Sequence, residues 1–239
     1  MDNTVVSKES FKRIVKDVKE LIVDPLNEQN IYYSHDTENI LKGYAMIIGP
    51  EDSCYHNGFF FFEFAFPNNY PWAPPKVIYR TNDGTTRFHP NLYRDGKVCL
   101  SLLNTWKGES WSACQSIKSV LLTILSVLNN KPLLHEPGVK STHEDYKKYN
   151  EIITYKSYEY ALIKQYLSDN NVFELFRQDM KNYIKNNIKN ILKELNEKHS
   201  NIEKKYKQPF ALVSIKLYGF KTVIDYTKII DEINNIKIE

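Results

Sequence analysis

The segment from Pro67 to Pro75, Pro-Asn-Asn-Tyr-Pro-Trp-Ala-Pro-Pro, carries four prolines in nine residues. Each proline holds φ at about −65° and withholds a backbone donor, so neither a helix interior nor a central strand can run through it. The segment must be a rigid loop. It follows directly on residues 59–66, an apolar run whose one charged member is Glu63. Such a run, bounded by turn residues, reads as a strand covered on both faces. A sheet strand therefore ends at residue 66.

The flanking sequence fits an α+β domain. Residues 7–23 place Phe11, Ile14, Val15, Val18, Leu21 and Ile22 at helical spacing, with an end near Asp24-Pro25. Residues 31–33, 41–48, 59–66 and 77–79 are apolar runs separated by Gly, Pro, Asn and Asp, as in a four-stranded antiparallel meander. Residues 81–111 contain two Asp-Gly turns and only short apolar runs, and so long an irregular segment in a compact domain is usually functional. Ser112 and Gln115 have capping-box spacing before Ile117, Val120, Leu121, Ile124 and Val127, which predicts a buried central helix starting at Ser112. It stops before Lys131-Pro132. Helices are expected over 142–167 and 171–198, and a third element, taken as part of a helical extension, over 210–236.

Composition narrows the function. The 239 residues suffice for a domain of about 150 residues plus an appendage. A net charge of +3, from 32 basic and 29 acidic residues, gives no field that would select nucleic acid. No apolar run is long enough to span a bilayer, and the first residues lack a signal-peptide core, so no membrane partner is expected. Three cysteines without C-x-x-C spacing argue against a disulfide framework or a zinc site and for a reducing compartment, cytoplasmic or nuclear.

Taken alone, a cysteine such as Cys99, followed by Leu-Ser-Leu-Leu, is more often a small buried hydrophobe than a nucleophile. An Asp-Gly turn three residues upstream and the long irregular segment around it point instead to a shallow loop with an accessible sulfur. Cys54 and Cys114 lack that setting and read as buried packing residues.

Four motifs then occur in order: Tyr-Pro-x-x-Pro-Pro-Lys (70–76), His-Pro-Asn (89–91), Gly-Lys-Val-Cys-Leu (96–100) and Trp-Ser (111–112). Over about residues 5–165 the chain resembles the ubiquitin-conjugating enzymes, most closely the larger members with a C-terminal extension. The resemblance implies a catalytic core over 5–165, with N-terminal helix, four-stranded meander, central helix and C-terminal helices, and a helical extension over 166–239.

It also implies a chemistry. Cys99 would take ubiquitin or a ubiquitin-like protein from an activating enzyme as a thioester and pass it to a lysine of a protein substrate, usually with a ubiquitin ligase. No cofactor is implied, since the activating enzyme uses the ATP. A free thiol titrates near pKa 8.5 and no adjacent His-Asp pair is evident, so the activating enzyme is expected to help form the thiolate. Asn91 is the family-matched donor to the oxyanion, a contact worth about 2.7–4 kcal/mol; tying down its own loop is an equal alternative. His89 fits a loop hydrogen bond better than proton transfer. Glu136 matches the acidic residue near the incoming lysine, with a plain surface glutamate as the alternative. Trp72, and Trp111 with Ser112 and Ala113, match ligase-contacting loop positions; each Trp could instead be a loop plug. Ala113, Ser101 and His135 depart from the commoner family residues.

The tail places Phe173, Phe176, Met180, Ile184, Ile188, Ile191 and Leu195 in one stripe, with Lys181, Lys185, Lys189 and Lys193 beside it. Lysines along the edge of a packed face explain this most simply; an acidic partner or self-association is the alternative. Two rival functions are weighed against this: a non-catalytic module of the same fold, against which the presence of Cys99 discriminates, and a nucleic-acid binder using the lysines, which would need interleaved exposed aromatics and a steep salt dependence.

Overall fold

The computed structural model describes residues 6–168 and 173–236. Helix α1 (Lys8–Val23) starts at Ser7, whose side chain accepts the Ser10 amide at 3.0 Å. Capping of this kind satisfies one of the helix's free donors. One face of α1 is buried, and with Ile14 and Leu21 it carries the carboxylate of Asp17. A buried charge is tolerated only when its oxygens are paired. Asp17 accepts from Arg13 Nε at 2.7 Å, from the Tyr70 hydroxyl at 2.5 Å and from the Ile117 amide at 3.3 Å. One side chain thereby joins α1, the proline-rich loop and the central helix.

Strands β1 (Ile31–His35), β2 (Lys42–Ile48), β3 (Phe59–Ala65) and β4 (Lys76–Tyr79) form one antiparallel sheet in that order, with Ala45, Phe62 and Tyr79 in register. Both faces of β3 are covered, as its composition implied. Phe60 meets Tyr55 and Phe88 on one face, at ring distances of 5.5 and 6.2 Å. On the other, Phe61 stacks on Phe173 at 4.4 Å and Phe59 meets Tyr183 edge-on at 5.9 Å. The second face is thus covered by the tail.

The central helix α2 (Ile117–Val127) begins later than its sequence pattern suggests. Ser116, not Ser112, is the N-cap, and it exchanges hydrogen bonds with Ser119 in a capping box. Residues 113–115 stay outside the helix because the Arg13 guanidinium binds the carbonyl oxygens of Ala113, at 2.6 Å, and Gln115. Those carbonyls face α1.

Helix α3 (Tyr146–Lys156) runs on as a π-helical stretch (Ser157–Lys164) and a last turn, α4 (Gln165–Leu167). Helix α5 (Arg177–Tyr206) buries Met180, Ile184, Ile191, Leu195 and Ile202, while Lys185, Lys189 and Lys193 stay in solvent. The lysines do lie along the edge of a packed face. The extension is not wholly helical: β5 (Ala211–Ile215) and β6 (Phe220–Ile224) form an antiparallel hairpin before α6 (Tyr226–Asn234). Its inward residues alternate with exposed ones at the two-residue period of a strand, and the turn needs Gly219 at φ +62°.

Candidate active site

Cys99 lies in irregular backbone given shape by a few specific bonds. Asp95-Gly96 makes the turn that precedes it. Gly96 sits at φ +88°, and a Cβ there would come within 3.0 Å of the Ile78 side chain and the Tyr79 carbonyl. Only glycine fits that approach without strain. Its carbonyl accepts the Tyr79 amide at 2.8 Å, which fastens the segment to β4.

Downstream, the Cys99 amide donates to the Asn91 carbonyl at 2.9 Å, and Asn91 Nδ2 donates to the Cys99 carbonyl at 2.6 Å. The Thr105 hydroxyl accepts the Leu100 amide at 2.9 Å and donates to the Val98 carbonyl at 2.8 Å. The residues before and after Cys99 are therefore clamped by one hydroxyl, while Asn91 holds Cys99 itself. The loop-tying role of Asn91 is realised, and its amide carries a second N–H beyond the one spent on Cys99.

His89 is fully buried, and its Nδ1 accepts the Asn91 amide at 2.9 Å. Burial, with His135 and Arg87 adding to it, pushes its pKa well below the usual imidazole range, against the opposing pull of the Val127 carbonyl. A neutral ring buttresses the Asn91 turn, as the loop-bond reading expected. The His135 ring lies edge-on 4.9 Å away, with its own pKa lowered by burial.

The sulfur's surroundings differ from the open loop the sequence suggested. Cys99 is only 2% exposed, yet among the described residues it is the one buried apolar residue that stands outside the connected core. It is covered without being built into the interior. The segment is fastened to β4 through the Gly96 carbonyl and to its own loop through Thr105 and Asn91. Cys54 is buried, and its thiol is pushed far up by desolvation. Cys114 is exposed, contrary to the packing role read for it, because residues 113–115 lie outside α2.

Residues 13–159 match the family model of the ubiquitin-conjugating enzyme, a span that holds Asn91, Cys99, Trp111 and Glu136. The chain belongs to the ubiquitin-conjugating enzyme family. It is 40% identical over 164 residues to ubiquitin-conjugating enzyme E2 Z of Danio rerio, covering 67% of this chain and 49% of that protein. The Homo sapiens protein of the same name is 39% identical over 164 residues, covering 67% and 46%. A probable ubiquitin-conjugating enzyme of Acanthamoeba polyphaga mimivirus is 40% identical over 146 residues, 56% of this chain and 10% of its own. The chain spans about half the length of the E2 Z relatives it matches.

In this family member Trp72 and Trp111 have different settings. Trp72 is 70% exposed at the tip of the proline-rich loop. Trp111 is buried, its Nε1 donating to the Pro71 carbonyl at 2.6 Å and its amide to Asn104 Oδ1 at 2.8 Å. Trp111 thus binds the two loops together as a plug. Ser112 is exposed and Ala113 half-buried beside it.

Glu136 is half-buried and engaged. The Tyr218 hydroxyl donates to its carboxylate at 2.5 Å, from the turn of the β5–β6 hairpin. Nothing in the residue pattern around Glu136 points to that partner, and the reading of 210–236 as helical hid it. The one usable signal was a pair of short runs with β-branched residues, 211–215 and 220–224, either side of Gly219. Among the described residues no His, Cys, Asp and Glu cluster could hold a metal ion, and no helix is long and apolar enough to cross a membrane.

Proposed function

We propose that this chain is a thioester-carrying transferase. The Cys99 thiolate attacks the C-terminal carbonyl of ubiquitin, or of a ubiquitin-like protein, on an activating enzyme, and the activating enzyme's thiolate leaves. A substrate lysine amine then attacks the new thioester, the Cys99 thiolate leaves, and the ammonium proton passes to base. A ligase docked on Trp72 and the exposed Ser112 end of the second loop would bring the substrate. Residues 5–165 would be the catalytic core and 166–239 an extension bracing it, in a reducing cytoplasmic or nuclear setting.

The observation that carries this reading is the two-bond exchange between Asn91 and Cys99, which fixes the cysteine backbone beside an amide donor within the family-matched span. Preorganised donors of this kind stabilise a developing oxyanion without reorganisation during the reaction.

The low exposure of Cys99 favours a second reading, a non-catalytic module with a covered cysteine. One experiment decides. The chain is incubated with activating enzyme, ubiquitin and ATP and run on a non-reducing gel, with other ubiquitin-like proteins in parallel. A heavier band removed by thiol reductant, and replaced in Cys99→Ser by at most a reductant-resistant ester band, supports the thioester. No band with any donor leaves the module.

A further inference from the structure

The family-matched span ends at residue 159, yet Glu136 within it takes a hydrogen bond from beyond it. Tyr218 lies 82 residues after Glu136, and its phenol donates to Glu136 Oε2 at 2.5 Å. The phenol is a donor under all ordinary conditions, because burial first, and then the Glu136 carboxylate, push its pKa far above the usual tyrosine range.

The hairpin turn that carries Tyr218 is held by two bonds from the family-matched span. Arg94 Nη2, five residues before Cys99, donates to the Tyr218 carbonyl at 2.9 Å. The Leu217 amide donates to Asp145 Oδ2 at 2.9 Å. Asp145 is fully buried, and that bond pairs one of its two carboxylate oxygens, whose loss would be costly. The Tyr218 ring lies 5.9 Å from the Tyr149 ring and 5.7 Å from the Arg87 guanidinium, which itself sits 3.3 Å over Tyr93. A turn with this many anchors is a fixed part of the site's surroundings, and its free hydroxyl is aimed at one carboxylate.

We propose that Tyr218 is a positioning residue for the aminolysis step, holding the Glu136 carboxylate in the one orientation from which it can receive the substrate ammonium. This rests on the thioester reading above and on the motif match of Glu136 to the family's acidic residue near the incoming lysine. A carboxylate on an extended segment followed by Pro137 and Gly138 has several accessible rotamers, and a charge-assisted bond from a rigid hairpin removes that freedom. The C-terminal extension thereby supplies a working part of the site that the family-matched span lacks.

The test is single-turnover discharge of the ubiquitin-loaded full chain, comparing wild type, Tyr218→Phe, Glu136→Gln and the double variant, with free lysine and with hydroxylamine as nucleophiles. Hydroxylamine is neutral at pH 7 and has no ammonium to orient. Tyr218→Phe is expected to slow lysine discharge about tenfold, the size of one charge-assisted hydrogen bond. Its hydroxylamine discharge should stay within twofold of wild type, and the double variant should be no slower than Glu136→Gln. Unchanged lysine discharge in Tyr218→Phe, or equal slowing with both nucleophiles, overturns the proposal alone. Absence of any wild-type loading overturns the thioester reading and this proposal together.

Discussion

Asn91 and Cys99 exchange two hydrogen bonds: the cysteine amide reaches the asparagine carbonyl, and the asparagine side chain returns to the cysteine carbonyl at 2.6 Å. The side-chain bond is the one a substitution can remove. Asn91→Ala leaves a carbonyl in a buried setting without its donor, which costs about 1–3 kcal/mol of stability, read as a lower urea midpoint. If the second N–H also meets the oxyanion, lysine discharge falls by about 10²–10³ fold as well. A drop in stability with unchanged discharge assigns Asn91 to the loop alone.

Stability should fall on acidification below neutrality. The native His89 pKa is depressed by burial, so between the ordinary imidazole pKa and the native one the unfolded chain binds a proton that the folded chain refuses. Stability from this group is therefore fully present above about pH 6.5 and declines as pH falls, by at most about 1.4 kcal/mol per pH unit. His135, also depressed, acts in the same direction. Urea midpoints at pH 7.5, 6.0 and 5.0 check this, and the slope between them should be shallower in His89→Asn. A midpoint independent of pH over that interval contradicts the burial account.

The three cysteines should separate by their rates of alkylation. Cys114 is exposed and reacts first with iodoacetamide in the native chain. Cys54, buried and with its thiol pushed up, reacts only on unfolding. Cys99, covered but outside the core, should react more slowly than Cys114 and faster than Cys54. Peptide mass spectrometry of timed samples gives the order, and protection of Cys99 equal to that of Cys54 would mean its cover does not open.

Trp72 and Trp111 should behave oppositely on substitution. Trp72→Ala removes an exposed side chain and should change stability by no more than about 0.5 kcal/mol. Trp111→Phe keeps most of the buried ring but loses the bond to the Pro71 carbonyl, at a cost of about 1–3 kcal/mol. Thermal unfolding distinguishes them. For ligase-dependent discharge, loss in Trp72→Ala with unchanged basal loading supports a docking role.

Much of the framework was readable in the residues because its causes are local. The helical period of 7–23, the apolar runs of the meander and the proline-rich loop each follow from a few neighbouring side chains. The start of α2 differs from its sequence pattern because Ser112 and Ser116 both make good caps, and Arg13, about a hundred residues away in sequence, selects between them. The hairpin at 211–224 was missed because short apolar runs suit helix and strand alike until a partner strand is present.

The family, the meander and its loop were legible along the chain, because they rest on motif order and on periodicity. That Cys99 is covered, that Trp111 is a plug while Trp72 is exposed, and that Glu136 is held by Tyr218 emerges only from packing. The physical reason is common to all three. Burial and hydrogen-bond pairing are relations between distant segments brought together by packing, and no local pattern encodes which partner a side chain will meet.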